Sequence, residues 1–130
     1  MDENDDITCM RLVCRGLWGS VEYAQCVNGR LPAKEFIEGL SSGEQAKLAH
    51  LFQWIADFGK IKNEEKFRHE DDKIYSFKAH QIRIGCFCSG RRWILTHGFM
   101  KKQNRWPAAE LERAKRILAE FNSLKLPEPQ

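Results

Sequence analysis

No stretch of this sequence approaches the roughly 18 consecutive apolar residues that a membrane-spanning helix requires, and its mean hydropathy is -0.55. Absent too is a basic-then-apolar leader, because Met1-Asp2-Glu3-Asn4-Asp5-Asp6 carries four acids and no base. Together these absences predict a cytoplasmic location and no membrane partner. Tyrosine is scarce, with two in the chain, and neither lies near the C-terminal end. Five cysteines (Cys9, Cys14, Cys26, Cys86 and Cys88) make an odd number at irregular spacing, which argues against a disulfide framework. Cys86 and Cys88, two apart in an apolar run, are expected to face one side of a strand as small buried hydrophobes. With His97 they supply three possible metal ligands, but no C-x-x-C pair accompanies them and no metal site is expected. Phosphate loops, nucleotide-binding glycine fingerprints, zinc-protease helices and nucleophile elbows are all missing. No cofactor is expected.

What is present is a chain of 130 residues, 42% hydrophobic and 30% charged, the size and composition of one globular domain with its own core. Its net charge of +3 conceals an uneven distribution. Between residues 73 and 116 stand eleven Lys or Arg against Glu110 and Glu112, leaving +9 in that stretch. Such concentration suits a polyanionic partner, although a solvated basic face would serve solubility alone.

Residues 1–6 have the composition of a flexible acidic tail, residues 7–122 form the domain, and residues 123–130 form a C-terminal tail. A short strand is expected between residues 7 and 18. Residues 21–27 alternate as a half-buried strand, and Asn28-Gly29 marks a turn. Pro32 opens a helix to about Leu40, with Phe36, Ile37 and Leu40 on its buried face. Ser41 with Glu44 and Ser42 with Gln45 offer overlapping capping boxes. The second helix buries Leu48, Leu51, Phe52 and Ile55, and Gly59 can end it in the left-handed conformation. The charge-rich segment 61–72 reads as a loop. Residues 73–79, 81–88 and 91–98, joined at His80-Gln81 and Ser89-Gly90, read as an antiparallel meander. Pro107 opens a last helix with Leu111, Ala114, Leu118 and Phe121 on one face and Ile117 beside it. The expected fold is α+β: a small antiparallel sheet, made of the three-stranded meander plus an N-terminal strand. A helix hairpin and a C-terminal helix pack on one of its faces.

Polar groups crowd the late strands. Arg83 lies between Ile82 and Ile84, where a cation must face outward or meet an anion. His97-Gly98-Phe99-Met100 is followed by Lys101-Lys102-Gln103-Asn104-Arg105-Trp106. Three cations beside an aromatic can hold a phosphate and a stacked base, although Trp106 before Pro107 can equally staple the helix start. Cleaving RNA requires a deprotonated 2′-hydroxyl aligned on phosphorus, stabilised phosphoryl charge and a protonated leaving oxygen. Arg and Lys suit the second task and His the proton transfers.

The run Ile74-Tyr75-Ser76-Phe77, Gln81-Ile82-Arg83-Ile84 and Trp93-Ile94-Leu95-Thr96-His97-Gly98-Phe99-Met100-Lys101-Lys102, closed by Pro107 and a charged helix, resembles the RelE/ParE toxin superfamily. The likeness is to its phage-derived HigB-like branch, and Gly29-Arg30-Leu31-Pro32 with Glu35-Phe36 resembles that branch's first helix start. The resemblance implies a RelE-like fold and a toxin of a type II toxin-antitoxin system. That toxin would be a ribosome-dependent endoribonuclease, an mRNA interferase, that inhibits translation. It implies three partners: a helix-turn-helix antitoxin, the ribosome and mRNA. Carried over by position, Arg83, His97, Lys101 and Lys102 become the candidate catalytic residues, and Arg91, Arg92, Arg105 and Trp106 the candidate RNA contacts. One departure stands out. Several members place a Tyr or His near the last helix, where this chain has Arg105 and Trp106, and an indole is no general base. Two alternatives share the fold: a non-catalytic ParE-like inhibitor of DNA gyrase and a phage-derived relic that only binds.

Overall fold

The computed structural model describes residues 10–103 and 105–127. The acidic tail, Cys9, Asn104 and the last three residues of the C-terminal tail lie outside the described residues. Among the described residues nine complete elements follow one another: β1 (Leu12–Arg15), β2 (Ser20–Tyr23), α1 (Pro32–Glu38), α2 (Ser42–Phe58), β3 (Phe67–Asp71), β4 (Ile74–Ala79), β5 (Ile82–Ser89), β6 (Arg92–Met100) and α3 (Ala108–Leu124). The strands form one six-stranded sheet in the order β1-β2-β6-β5-β4-β3. All neighbours are antiparallel except β2 and β6, which run parallel from Ser20↔Arg92 to Tyr23↔Leu95.

The local chemistry of the helices explains their limits. Ser41 accepts from the Glu44 amide at 3.2 Å while the Glu44 carboxylate accepts from the Ser41 amide at 3.0 Å. This box caps α2, and Gln45 instead reaches back to the Leu40 carbonyl. Gly59 ends α2 with φ 80°, a conformation that costs glycine nothing. Pro107 stands at the N-cap of α3. α1 stops at Glu38, short of Leu40, and α3 runs on to Leu124.

Several expectations need correction. The segment 61–72 is not all loop, because Phe67–Asp71 forms β3, paired with β4 from Phe67↔Phe77 to Asp71↔Ile74. Only Phe67 of this edge strand is buried, so its sequence carries almost no apolar alternation. The meander therefore has four strands and the sheet six. β2 ends at Tyr23; the Ala24 amide still donates to the Leu95 carbonyl at 2.9 Å, and Ala24 and Cys26 pack in the cluster beside α3.

The helices also occupy both faces of the sheet. On one face α1 and α2 bury Ala33, Ile37, Leu48, Leu51, Phe52 and Ile55 against Phe77, Ile84, Trp93 and Leu95. On the other, α3 buries Ala114, Ile117 and Phe121 against Ile74, Phe87 and Ile94. Leu111 and Leu118 only flank that seam. Each fully buried aliphatic or aromatic side chain contributes roughly 1.5–3 kcal/mol. Strands at the centre of a sheet covered on both faces are buried along their length, as β5 and β6 are over Ile82–Phe87 and Trp93–Gly98, with Arg83, Thr96 and His97 as the polar members.

A buried ion cluster ties the ends of the chain to this second face. The Glu22 carboxylate, fully buried, lies 2.9 Å from Arg92 and 3.8 Å from Arg11. Arg92 also covers the Phe121 ring at 5.4 Å, and Arg11 donates to the Pro127 carbonyl at 2.7 Å. Cys86 is buried as expected, but Cys88, on the same face at the end of β5, is exposed and donates to the Gly90 carbonyl at 3.3 Å. Among the described residues no three His, Cys, Asp or Glu gather as metal ligands, and no helix is long and apolar enough to cross a membrane.

Candidate functional site

α3 crosses the sheet at the end marked by Ile74, Phe87 and Ile94. Toward the opposite end the same face carries polar side chains. Alternation along β4 puts Ser76 and Lys78 opposite the buried Phe77 and Ala79, and the register sets Arg68 beside Ser76 and Lys78 beside Arg83. Arg83 in turn neighbours Phe99 on β6, and Lys101 lies two residues beyond. The result is a cationic row made of Arg68, Lys78, Arg83 and Lys101. Glu70 is the carboxylate among them, and it accepts from the Ser76 hydroxyl at 2.5 Å.

Arg83 is largely buried and is held in place by backbone carbonyls. Its Nη1 donates to the His80 carbonyl at 2.6 Å and to the Ile82 carbonyl at 2.8 Å, which fixes the guanidinium plane. Burial lowers its pKa, partly offset by Glu70, yet an arginine stays charged in any protein setting. Lys101 is anchored by its own amide, which donates to the Gln81 carbonyl at 2.7 Å. Partial burial pushes the Lys101 ammonium below its usual pKa, and Arg83, Lys78 and Arg68 push the same way against Glu70. A groove of about 290 Å³ lies between Gln81, Arg83, Lys101, Lys102 and Gln103. Its chemistry is that of an anion site containing one lysine eased toward proton exchange.

The other expected site residues sit elsewhere. Between β5 and β6 the pairing slips from Ile84↔Gly98 to Cys86↔Leu95, so Thr96 and His97 together face Gly85 as a β-bulge. That bulge aims His97 into the α3 seam. The ring is fully buried, 3.3 Å from the Thr96 hydroxyl and 3.7 Å from Glu110, and stacks on Phe99 with centroids 5.8 Å apart. Burial, with Arg113 and Arg116 nearby, lowers its pKa to about 3, so at neutral pH it is an uncharged packing residue. Its neighbours in the motif pack as well. A Cβ at Gly98 would meet Phe36 at 2.2 Å, so the missing side chain lets α1 lie on β6.

Trp106 is buried against Phe99, centroids 4.7 Å apart, and offers no open face to a base. Arg92 belongs to the Glu22 cluster. Arg91 is exposed and donates to the Trp18 carbonyl at 3.4 Å, at the end of the sheet away from Arg83. Arg105 and Lys102 are exposed. The structure thus brings together Arg83, Lys101 and Lys102 and adds Arg68, Glu70, Ser76 and Lys78. The additions on β3 were hidden because the strand itself was unreadable. Lys78 was countable as a charge, but its partner across the ladder was not.

The family described as Phage derived protein Gp49-like (DUF891) matches residues 35–119, more than half of the chain. The matched segment runs from within α1 to within α3 and includes every residue of the cationic row, whereas β1 and β2 precede it. No curated protein matches the chain.

Proposed function

The chain belongs to the Gp49-like phage-derived family, and from that premise we propose that it is a toxin of a toxin-antitoxin pair, acting as a ribosome-dependent endoribonuclease on mRNA. The observation that carries this reading is the Arg83–Lys101 groove, an anion site on the open part of an otherwise covered sheet face. Its members divide the work of RNA cleavage without a buried histidine. Arg83, its plane fixed by two carbonyls, neutralises the phosphoryl oxygens as the 2′-oxygen attacks phosphorus. Glu70, outside the groove lining but the nearby carboxylate felt by Arg83 and Lys101, accepts the 2′-hydroxyl proton in this reading. Lys101, with its eased ammonium, donates a proton to the 5′-oxygen as the P–O bond breaks, leaving a cyclic phosphate and a 5′-hydroxyl. Lys102 and Arg105 supply phosphate contacts. Only RNA has the required 2′-hydroxyl. A helix-turn-helix antitoxin with acidic or apolar surface over this groove would block it sterically and electrostatically.

The experiment is translation of a reporter mRNA in a cell-free system with purified protein, followed by mapping of RNA 5′ ends. The reading expects new ends at codon spacing only when ribosomes are present. It further expects Lys101→Ala/Lys102→Ala to slow their appearance by about 100-fold or more while the circular dichroism spectrum is unchanged. Intact mRNA would overturn it, and inhibited supercoiling in a gyrase assay would then favour the ParE-like alternative.

A further inference from the structure

A second and larger groove, about 530 Å³, opens on the other side of the β4–β5 turn, between α2 and the segment leading into β3. Lys47, His50, Lys66, Lys78 and His80 line it, with Glu65 as the carboxylate among the lining residues. Glu44 lies near Lys47 and His80 but is engaged in the α2 capping box. Three lysines and two histidines against one acid at the groove wall form an excess of donors that an anion would satisfy.

Two further observations single out this groove from an ordinary basic surface. Lys47 Nζ donates to His80 Nε2, so the ammonium and the imidazole are held side by side at the groove wall, where an incoming anion can take over the ammonium's hydrogen bond. His80 also adopts φ 56° in a two-residue turn, a left-handed conformation that glycine or asparagine takes at less cost. A strained position occupied by a functional side chain is a recurrent mark of binding sites. The turn is tied to the first groove as well, because the His80 carbonyl accepts from Arg83 at 2.6 Å. Lys78 in turn spans toward the far side by donating to the Glu64 carbonyl at 3.1 Å.

We propose that the Lys47–Lys66–His80 groove is a second phosphate subsite, which takes backbone phosphodiesters of the same RNA strand whose reacting linkage occupies the Arg83–Lys101 groove. The inference rests on the RNA-cleaving reading for the identity of the strand, but the groove's anion chemistry is independent of that reading. The β4–β5 turn then acts as a saddle over which the strand passes, with Arg83 gripping the turn from one side and His80 meeting the phosphate on the other. Phosphate contacts of this kind position a strand without reading its sequence.

The test uses the full-length protein and a fluorescein-labelled, fully 2′-O-methylated RNA about twelve nucleotides long, which cannot be cleaved. Anisotropy titrations across a salt series give the slope of log Kd against log salt. On a single strand each neutralised phosphate contributes about 0.7 to that slope, so Lys47→Ala/Lys66→Ala should lower it by about 1.4. His80→Asn, which retains a residue tolerant of the left-handed turn, should weaken binding severalfold. Lys60→Ala/Lys73→Ala removes two exposed lysines outside the groove and should leave the slope near the wild-type value. An unchanged slope in the Lys47/Lys66 variant, or an equal fall in the control, overturns the subsite. If mRNA stays intact on ribosomes while the slope falls selectively, the nuclease reading fails and the groove stands as a phosphate site. Cleavage with an unchanged slope has the opposite meaning, and failure of the wild-type protein to bind the oligonucleotide refutes the subsite as well as its link to the first groove.

Discussion

His97 makes the sharpest test of the distinction between packing and catalysis, because its burial has a measurable consequence for stability. The unfolded chain takes up a proton on this imidazole near its ordinary pKa of 6.5, whereas the folded protein resists protonation down to about 3. Since the unfolded state binds the extra proton, this residue's contribution is complete above about pH 6.5 and declines as pH falls toward 3. At pH about 5 the unfolded imidazole is almost fully protonated and the folded one almost fully neutral. The difference is roughly 1.5 pK units, or about 2 kcal/mol. In urea, with a slope on the order of 2 kcal/mol per molar, the unfolding midpoint of the wild-type protein should fall by about 1 M between pH 7.5 and pH 5 on account of His97 alone. Carboxylates add their own pH dependence, so the comparison is with His97→Gln, which keeps them and removes the titrating ring. The variant's midpoint should fall by about 1 M less than that of the wild type over the same interval. Equal falls in the two proteins would refute the buried, neutral histidine. A rate of mRNA cleavage in His97→Gln close to wild type at pH 7.5 is expected on the same grounds, and a loss of 100-fold or more with the fold intact would return the residue to the chemistry.

Two further perturbations test the scaffold beneath the groove. Glu22→Gln leaves Arg11 and Arg92 facing each other without the buried carboxylate between them, a change that typically costs 3–5 kcal/mol. Calorimetry should show a fall in Tm of about 10 °C or more, and a fall of only a degree or two would mean that the cluster is solvated. Gly85→Ala places a Cβ 2.5 Å from the Thr96 hydroxyl and 3.0 Å from the Trp106 ring. Overpacking of this sort costs about 1–3 kcal/mol, and chemical denaturation that finds Gly85→Ala as stable as the wild type would show that the bulge can move.

The sequence determined the elements whose chemistry is local. Ser41 and Glu44 specify the start of α2 and Gly59 its end, His80-Gln81 marks one hairpin turn and Gly90 the next (one residue later than expected, at Gly90-Arg91), and Pro107 marks the approach to α3. In each case the residues that make the feature are adjacent in the chain. It also put Arg83 within one strand and Lys101 just past the end of the next. What it could not decide was which residues share a face once strands pair. β3 carries one buried apolar residue, so its place at the sheet edge depends on the ladder with β4 and not on its own pattern. A single bulge opposite Gly85 turns His97 from the expected catalytic position into the core beneath α3. Phe99 and Trp106 share that core or its margins, and Gly98 makes room for α1 on the opposite face, so the most distinctive run of the sequence is largely a packing device. The same tertiary pairing drew Arg68, Glu70, Ser76 and Lys78 to Arg83 and Lys101, because strand register brings side chains together across sequence separations that spacing alone does not reveal.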